Sequence, residues 1–221
     1  MRVLVYILVV LGAYLLGSIP TGFLVGKARG VDIRTAGSGN IGATNVFRIL
    51  GTVPGVFVLL ADALKGWLAV RVLAALLARK LLPPDWLASN AEPISIIAAV
   101  AAVLGHNYTC WLHFRGGKGI ATSAGVLAAL VPIPLLVILS VWIIVFALSR
   151  YVSLASILAA STLPFATWFT GYSTTLIVVT AAMTAMAIYK HKGNIKRLIQ
   201  GTESRIGRKN TTTAAAPKET S

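Results

Sequence analysis

The sequence predicts an all-α fold, a polytopic integral membrane protein built as a bundle of about seven membrane helices. Hydrophobic residues make up 57% of the 221-residue chain and charged residues only 12%, about half the charged content of a typical soluble domain. The apolar runs are long and unbroken, without the alternation that barrel strands show. Because lipid offers the backbone no hydrogen-bond partners, only helices or closed barrels cross it, and these runs favour helices.

The first half of the chain contains two long apolar runs separated by a polar loop. The first span covers about Val3–Val25, and Pro20 is expected to kink or interrupt it. The loop Lys27–Thr52 follows. The next run, Val53–Leu82, is about thirty residues and therefore long for one span of roughly twenty. A short half-helix over Gly51–Leu60, too short to cross fully, is expected to bring the chain back to the membrane.

The second half contains shorter runs. The loop Arg79–Pro93 carries balanced charges, and the long run Ile120–Leu148 has Pro132 and Pro134 near its middle. Because proline interrupts helices, this run is divided there. The predicted membrane segments of this half are Ile94–Leu112, Ile120–Val131, Ile133–Leu148, Val152–Phe169 and Thr174–Tyr189. The segment that begins at Ile120 is also expected to be too short to cross fully.

Positive charge decides the predicted topology, because Lys and Arg collect in cytoplasmic loops. The chain carries a net charge of +14, and the tail from Lys190 has eight basic residues against two acidic ones. Seven spans with the N-terminus outside place this tail, the loop Lys27–Thr52 and the segment His113–Gly119 in the cytoplasm. Six spans would leave the basic tail outside. The chain is accordingly divided into a membrane domain, residues 1–207, and a disordered basic tail, residues 208–221.

Three polar clusters share the predicted cytoplasmic side. The first runs from Ser38 to Arg48 and contains most of the glycine-rich stretch Ala36–Asn45. The second consists of His106, Asn107 and the residues Arg115–Gly119, and the third of His191, Asn194, Arg197 and Glu203. Glycine allows the backbone to form a nest of N–H donors, which together with fixed cations suits phosphate. The candidate cations are Arg48, Lys118 and Arg197.

Other kinds of site fit these clusters poorly. Gly37–Gly42 matches the dinucleotide pattern G-x-G-x-x-G, but lacks the preceding strand and the later acidic residue. Neither Gly26-Lys27 nor Gly117-Lys118 completes a phosphate-binding P-loop. The histidines have no clustered carboxylates or cysteines, so no metal is expected. None of them is followed by an aspartate in the His-x4-Asp pattern of the soluble-face glycerolipid acyltransferases.

Six motifs carry a resemblance to a known family. They are Gly17-Ser18-Ile19-Pro20, Gly37-Ser38-Gly39-Asn40-Ile41-Gly42-Ala43-Thr44-Asn45, Asp62-x-x-Lys65-Gly66, Gly105-His106-Asn107, Phe114-Arg115-Gly116-Gly117-Lys118-Gly119 and His191-x-x-Asn194-Ile195-Lys196-Arg197-Leu198. In this order and spacing, from about residue 8 to residue 207, they resemble the bacterial acyl-phosphate:glycerol-3-phosphate acyltransferases, the PlsY family.

The resemblance implies an enzyme of the bacterial cytoplasmic (inner) membrane whose active site faces the cytoplasm. The expected reaction transfers a fatty acyl group from acyl phosphate to the 1-hydroxyl of glycerol 3-phosphate, giving 1-acylglycerol 3-phosphate and phosphate. This is the first acylation of bacterial phospholipid synthesis. The expected partners are these two substrates, membrane lipid and the enzyme that supplies acyl phosphate. No cofactor and no nucleic acid are expected.

The resemblance also implies roles for individual residues. The expected catalytic residues are Ser38, Asn40, Asn45, Arg48, Lys118 and His191. The expected substrate-binding residues are Gly37, Gly39, Gly42, Ala43, Thr44, His106, Asn107, Gly116, Gly117, Ser153, Ser156, Asn194, Arg197 and Glu203. The glycine loop is expected to hold the acyl phosphate and stabilise the developing oxyanion. Because no carboxylate lies in the first two clusters, we expect the substrate phosphate to take the hydroxyl proton, with His191 as the competing base.

Two other functions stay open at this point. A transporter for an organic phosphate would also use broken helices and a basic cavity at partial depth, although here the clusters lie on one side only. A scaffold that binds anionic lipid through its basic tail would leave the three ordered clusters without a role.

Overall fold

Eleven α-helices account for most of residues 1–207, the part of the chain that the computed structural model describes. They are α1 (Arg2–Ser18), α2 (Thr21–Ala28), α3 (Ala43–Leu50), α4 (Thr52–Leu68), α5 (Ala75–Leu81), α6 (Pro84–Asn107), α7 (Ile120–Leu130), α8 (Pro132–Ser149), α9 (Val152–Phe169), α10 (Thr174–Lys190) and α11 (Lys192–Ile199). No β-strand occurs in this range, so the predicted all-α class is confirmed. The predicted disordered tail, residues 208–221, lies outside the described residues.

The first span is interrupted where predicted. The helix α1 ends at Ser18 and α2 begins at Thr21, on either side of Ile19 and Pro20. The α1 helix packs against α6 at very short range, because a Cβ atom on Gly17 would overlap the carbonyl of Ala102. Small residues that permit such approach are typical of helix contacts in membranes.

The predicted half-helix over Gly51–Leu60 is wrong. Helical structure runs from Thr52 without a break through α4, a π-helical segment over Ala69–Ala74, and α5. The proline in this stretch, Pro54, lies in the first turn of α4, where a missing N–H group costs no hydrogen bond.

The predicted loop Arg79–Pro93 is also wrong. Only Leu82 and Pro83 separate α5 from α6, because Pro84 occupies the first helical position, which favours proline. Pro93 lies inside α6. The acidic residues Asp85 and Glu92 are exposed on the first turns of this helix, so polarity here marks an exposed helix end and not a loop.

The division of the run after Ile120 is confirmed. The helix α7 ends at Leu130 and α8 begins at Pro132, with only Val131 between them. The 11 residues of α7 span about 16 Å, roughly half of a hydrocarbon core of about 30 Å. By its length alone α7 is therefore too short to cross the core fully, as expected.

Within residues 1–207, four helical segments are long and apolar enough to cross a membrane. They are Arg2–Ala28, Pro84–Leu112, Pro132–Ser149 and Val152–Phe169. The helices α7 and α10 are apolar but shorter. The count of seven spans and the orientation of the termini stay predictions.

Three buried apolar clusters hold together the part of the bundle that the structure describes. The largest joins α1, α6 and the π-helical segment through small side chains such as Val9, Ala69 and Ala98. The second, which includes Ile33 and Val46, lies beneath the glycine-rich loop and ties it to α4. The third lies between α6, α7, α9 and α10 and consists of Ile96, Leu127, Val131, Leu163 and Leu176.

Candidate functional site

One cavity of about 670 Å³ brings the three polar clusters together. Of the predicted site residues, all but Gly39, Asn107, Gly116 and Gly117 line it. The wall is built from the glycine-rich loop, the starts of α3 and α7, parts of α4, α8 and α9, the ends of α6 and α10, and α11 with the residues after it. Residues that are far apart in sequence thus face one space.

The glycine-rich loop is shaped by two asparagine side chains. Asn45 Nδ2 donates to the carbonyls of Ile33 and Ala36 at 3.0 and 3.1 Å, and its Oδ1 accepts from the Ser38 N–H at 2.9 Å. Asn40 Oδ1 accepts from the Gly42 N–H at 2.8 Å. The side-chain amide of Asn45 is fully buried and used by these bonds, so it holds the loop in place.

Gly37 and Gly39 allow this shape because both have positive φ, 60° and 68°, which other residues adopt only with strain. Gly39 itself lies outside the cavity lining.

The first turn of α3 faces the cavity through Gly42, Ala43 and Thr44. The first N–H groups of a helix have no partner within the helix and lie at the positive end of its dipole. This end of α3 therefore suits an anion such as phosphate. Arg48, one turn further along, is exposed and also lines the cavity.

A loop fastened to the end of α6 presents Lys118. The N–H groups of Gly116 and Gly117 donate to the carbonyls of Asn107 and His106 at 3.2 and 3.0 Å. Gly116, Gly117 and Asn107 therefore lie behind Lys118 and do not reach the cavity. Lys118 Nζ donates to Asn194 Oδ1.

Glu203 organises the third cluster. Its Oε1 accepts from Ser153 Oγ at 2.8 Å and from Asn194 Nδ2 at 2.6 Å, and its Oε2 accepts from Arg197 Nε at 2.7 Å. Burial acts to raise the pKa of Glu203, but these hydrogen bonds and the Arg197 charge lower it. Glu203 is thus a carboxylate that ties α11 to α9 and holds Asn194 and Arg197.

Lys118 and His191 titrate away from their ordinary ranges. Burial, opposed by the charge of Glu203 and reinforced by Arg197 and Arg48, lowers the pKa of Lys118 to about 8. Burial and the Lys118 cation lower the pKa of His191 to about 4. His191 is therefore neutral at pH 7.

The tautomer of His191 follows from its hydrogen bond. His191 Nδ1 lies 2.7 Å from the Ala187 carbonyl, which only accepts. Nδ1 therefore carries the proton and Nε2 keeps its lone pair.

The remainder of the cavity is mostly apolar. Along α9, Ser153 and Ser156 are followed at the next turns by Ala159 and Leu163. The apolar lining also includes Leu127, Leu135, Ile138 and Met183. Ser156 Oγ accepts from Trp142 Nε1 at 3.1 Å and donates to the Val152 carbonyl at 2.8 Å, so it marks the boundary between the polar and apolar parts.

Several lining residues were not predicted from the sequence. They are Leu59, Asp62, Gly119, Ser123, Trp142, Thr184 and Ser204, in addition to most of the apolar wall. Asp62 is the most consequential, because it places a carboxylate beside the second cluster, 3.7 Å from His106 Nδ1. Its pairing with Lys65 was the available signal, since residues three apart lie on one helix face. Gly119 belongs to the second cluster but was not assigned a role, and the others have no local pattern that distinguishes them from membrane-facing residues.

Comparison with known proteins gives a consistent result. Residues 7–201 match the family described as Glycerol-3-phosphate acyltransferase. The glycerol-3-phosphate acyltransferase of Endomicrobium trichonymphae is 45% identical over 204 residues, which cover 92% of this chain and 96% of that protein. The protein of the same description from Trichlorobacter lovleyi is 47% identical over 195 residues, which cover 88% and 94%.

Two solved structures have a similar fold. The crystal structure of PlsY (YgiH), an integral membrane glycerol 3-phosphate acyltransferase, in its glycerol 3-phosphate form has a TM-score of 0.79 and 39% identity. The match covers 91% of this chain and 96% of that chain. The lysophosphatidic acid form gives a TM-score of 0.77 at the same identity, covering 91% and 95%.

Proposed function

The chain belongs to the glycerol-3-phosphate acyltransferase family, and we propose that it transfers a fatty acyl group from acyl phosphate to the 1-hydroxyl of sn-glycerol 3-phosphate. The products are 1-acyl-sn-glycerol 3-phosphate, a lysophosphatidic acid, and phosphate. The two PlsY structures, whose forms are named for glycerol 3-phosphate and lysophosphatidic acid, support this choice of acceptor and product.

The observation that carries the proposal is the division of one cavity into two chemically different parts. One part offers Arg48, Lys118 and Arg197 with the N-terminus of α3, which suits phosphate groups. The other part, lined by residues such as Leu127 and Leu163, suits an alkyl chain. Acyl phosphate needs both parts, and glycerol 3-phosphate needs the first.

The proposed reaction needs no covalent enzyme intermediate, because acyl phosphate is already an activated mixed anhydride. The 1-hydroxyl oxygen attacks the acyl carbonyl carbon, the bond from that carbon to the phosphate oxygen breaks, and phosphate leaves. The loop Gly37–Asn45 and the first turn of α3 hold the acyl phosphate and stabilise the negative charge that develops on the carbonyl oxygen. Arg48, Lys118, His191 and Asn194 hold glycerol 3-phosphate.

We propose that the departing phosphate takes the hydroxyl proton. His191, with a pKa of about 4, is a weaker base than a phosphate group whose second pKa is about 6. Asp62 is engaged by Lys65 at 2.8 Å. If the acidic limb of the pH–rate profile disappears in His191→Ala, the proton goes to His191 instead.

The proposal includes the bacterial cytoplasmic membrane as the location, with the cavity mouth toward the cytoplasm. The basic residues around the mouth and on α11 support this orientation. An enzyme that supplies acyl phosphate is proposed as a partner, since the donor must be made before this reaction. The relatives' acyltransferase names favour this function over the organic-phosphate transporter.

The test is an assay with purified protein in detergent, acyl phosphate and labelled glycerol 3-phosphate. We expect a labelled lysolipid from the wild-type protein. Lys118→Ala and Arg48→Ala should each lower the rate by about 100-fold or more, because each removes a charge that faces the phosphates. The matched control is Arg34→Ala, which removes an exposed arginine of the same loop that pairs with Asp32. Absence of lysolipid from wild type, or wild-type rates in Lys118→Ala, would contradict the proposal.

A further inference from the structure

A buried polar network beside the cavity has no part in the proposed chemistry. The side chains of Asp62 and Lys65 are 2% and 5% exposed, and Lys65 Nζ lies 2.8 Å from Asp62 Oδ1. Thr21 Oγ1 donates to the same carboxylate at 3.0 Å, and Lys65 Nζ donates to the Ile19 carbonyl at 2.7 Å. The network therefore fastens α4 to the break between α1 and α2, and holds the Asp62 carboxylate at the cavity wall.

His106 lies between this network and the loop that carries Lys118. Its ring is 5% exposed, and Nδ1 is 3.7 Å from Asp62 Oδ1, with no hydrogen-bond partner among residues 1–207. On the opposite edge, Nε2 meets Gly117 so closely that a Cβ atom there would overlap it. The Gly117 N–H also donates to the His106 carbonyl at 3.0 Å. The imidazole is thus enclosed between a carboxylate and the backbone immediately before Lys118.

We propose that Asp62 and His106 are positioning residues that set where the Lys118 ammonium group lies in the cavity. A negative charge near Nδ1 favours the ring orientation with an N–H group toward Asp62. In that orientation the other edge of the ring, with Nε2, packs against Gly117. If the ring moves, Gly117 and Lys118 move with it, and Lys118 leaves Asn194.

This role differs from the direct substrate contact that the sequence predicts for His106. This inference rests on the proposed function, in which the Lys118 ammonium group holds glycerol 3-phosphate. It also gives a purpose to a charged pair that would otherwise be a costly feature of a membrane helix.

The first experiment measures the reactivity of Lys118 without any substrate. Purified protein is acetylated briefly, and the labelling of each lysine is followed by mass spectrometry. In His106→Gln and Asp62→Asn we expect the labelling rate of Lys118 to change severalfold relative to the exposed Lys80. Because no substrate is present, this measurement tests the inference even if the wild-type protein makes no lysolipid.

The second experiment separates the Michaelis constants of the two substrates. In His106→Gln the KM for glycerol 3-phosphate should rise by about tenfold or more, because the cation that binds it is misplaced, while the KM for acyl phosphate stays close to wild type. A general folding defect lowers kcat and leaves both KM values unchanged. The matched control is Glu92→Gln, which removes an exposed carboxylate at the other end of α6.

Unchanged Lys118 labelling in both variants overturns the inference, as does an unchanged KM for glycerol 3-phosphate. Loss of folded protein in both variants also overturns it, since the network would then serve only the stability of the core. Altered labelling together with the selective change in KM supports it.

Discussion

The Lys118 side chain combines a positive charge with a mostly buried position. Its pKa of about 8 follows first from burial. The ammonium form is therefore complete below pH 7 and is lost as the pH rises through 8. Within residues 1–207, Lys118 is the only lysine that lines the cavity.

We predict that kcat/KM for glycerol 3-phosphate falls above pH 8, by about tenfold for each further pH unit, because this ratio reports the free enzyme. Initial rates between pH 6 and 10 give the profile. In Lys118→Arg the guanidinium stays charged over this range, so any remaining activity should lack this limb. An identical fall in kcat/KM above pH 8 in the wild type and in Lys118→Arg would assign that limb to a group other than Lys118.

At the scale of single residues, the sequence identified most of the polar side chains that line the cavity, but neither their contacts nor most of the apolar wall. Asn45 was found because it closes a glycine-rich motif, yet a motif does not show where a side-chain amide points, and here it holds the loop. Asp62 was missed as a member of the site for a different reason. It reaches His106 only through the packing of α4 against the end of α6, which no local pattern encodes.

Among the elements, α4 and α7 touch backbone to backbone. A Cβ atom on Gly125 of α7 would overlap the carbonyl of Ala63, and one on Gly66 of α4 would overlap the carbonyl of Thr122. Because only Gly119 separates Lys118 from α7, this close approach fixes the start of α7 beside the cavity.

We predict that Gly125→Ala forces the two helices apart and destabilises the protein by roughly 1–3 kcal/mol, the usual cost of overpacking. Thermal unfolding in detergent should show a lower midpoint, and the assay a lower rate. The control is Gly193→Ala in α11, where a new Cβ atom meets nothing closer than 3.6 Å. An unchanged midpoint in Gly125→Ala would show that α4 and α7 can move apart without loss of stability.

Both Pro132 and Pro84 begin a helix, but the helix boundary could be predicted only where the proline divides a continuous apolar run. Pro132 marked the start of α8 correctly, and the bounds of α9 match the prediction. Pro84 stands between Pro83 and Asp85, so it was mistaken for part of a polar loop. The helices α3 and α11 are 8 residues each, too short for periodicity to distinguish them from polar loops.

For the whole molecule, the all-helical class and the membrane setting followed from composition alone. The number of membrane crossings did not follow from composition, because α7 is short and the continuous helix from α4 to α5 carries charges. Charge asymmetry therefore remains the basis of the predicted topology.

We predict that a reporter fused after Gly207 is active in the cytoplasm, and that one inserted between Leu82 and Pro83 is active outside it. Paired alkaline phosphatase and green fluorescent protein fusions measure this, since each is active on one side only. The reverse pattern would place the cavity mouth on the opposite face of the membrane.

The division of the cavity into a charged mouth and an apolar interior has a consequence for how the membrane grows. A lysolipid formed there is already aligned like its neighbours, with its head group at the water boundary and its chain among the lipid tails. It joins the leaflet on that side without moving a charged head group through hydrocarbon, a step that would cost many kcal/mol. Under the proposed function, each turnover adds a lipid to one leaflet only. Lipid reaches the opposite leaflet by a separate translocation step.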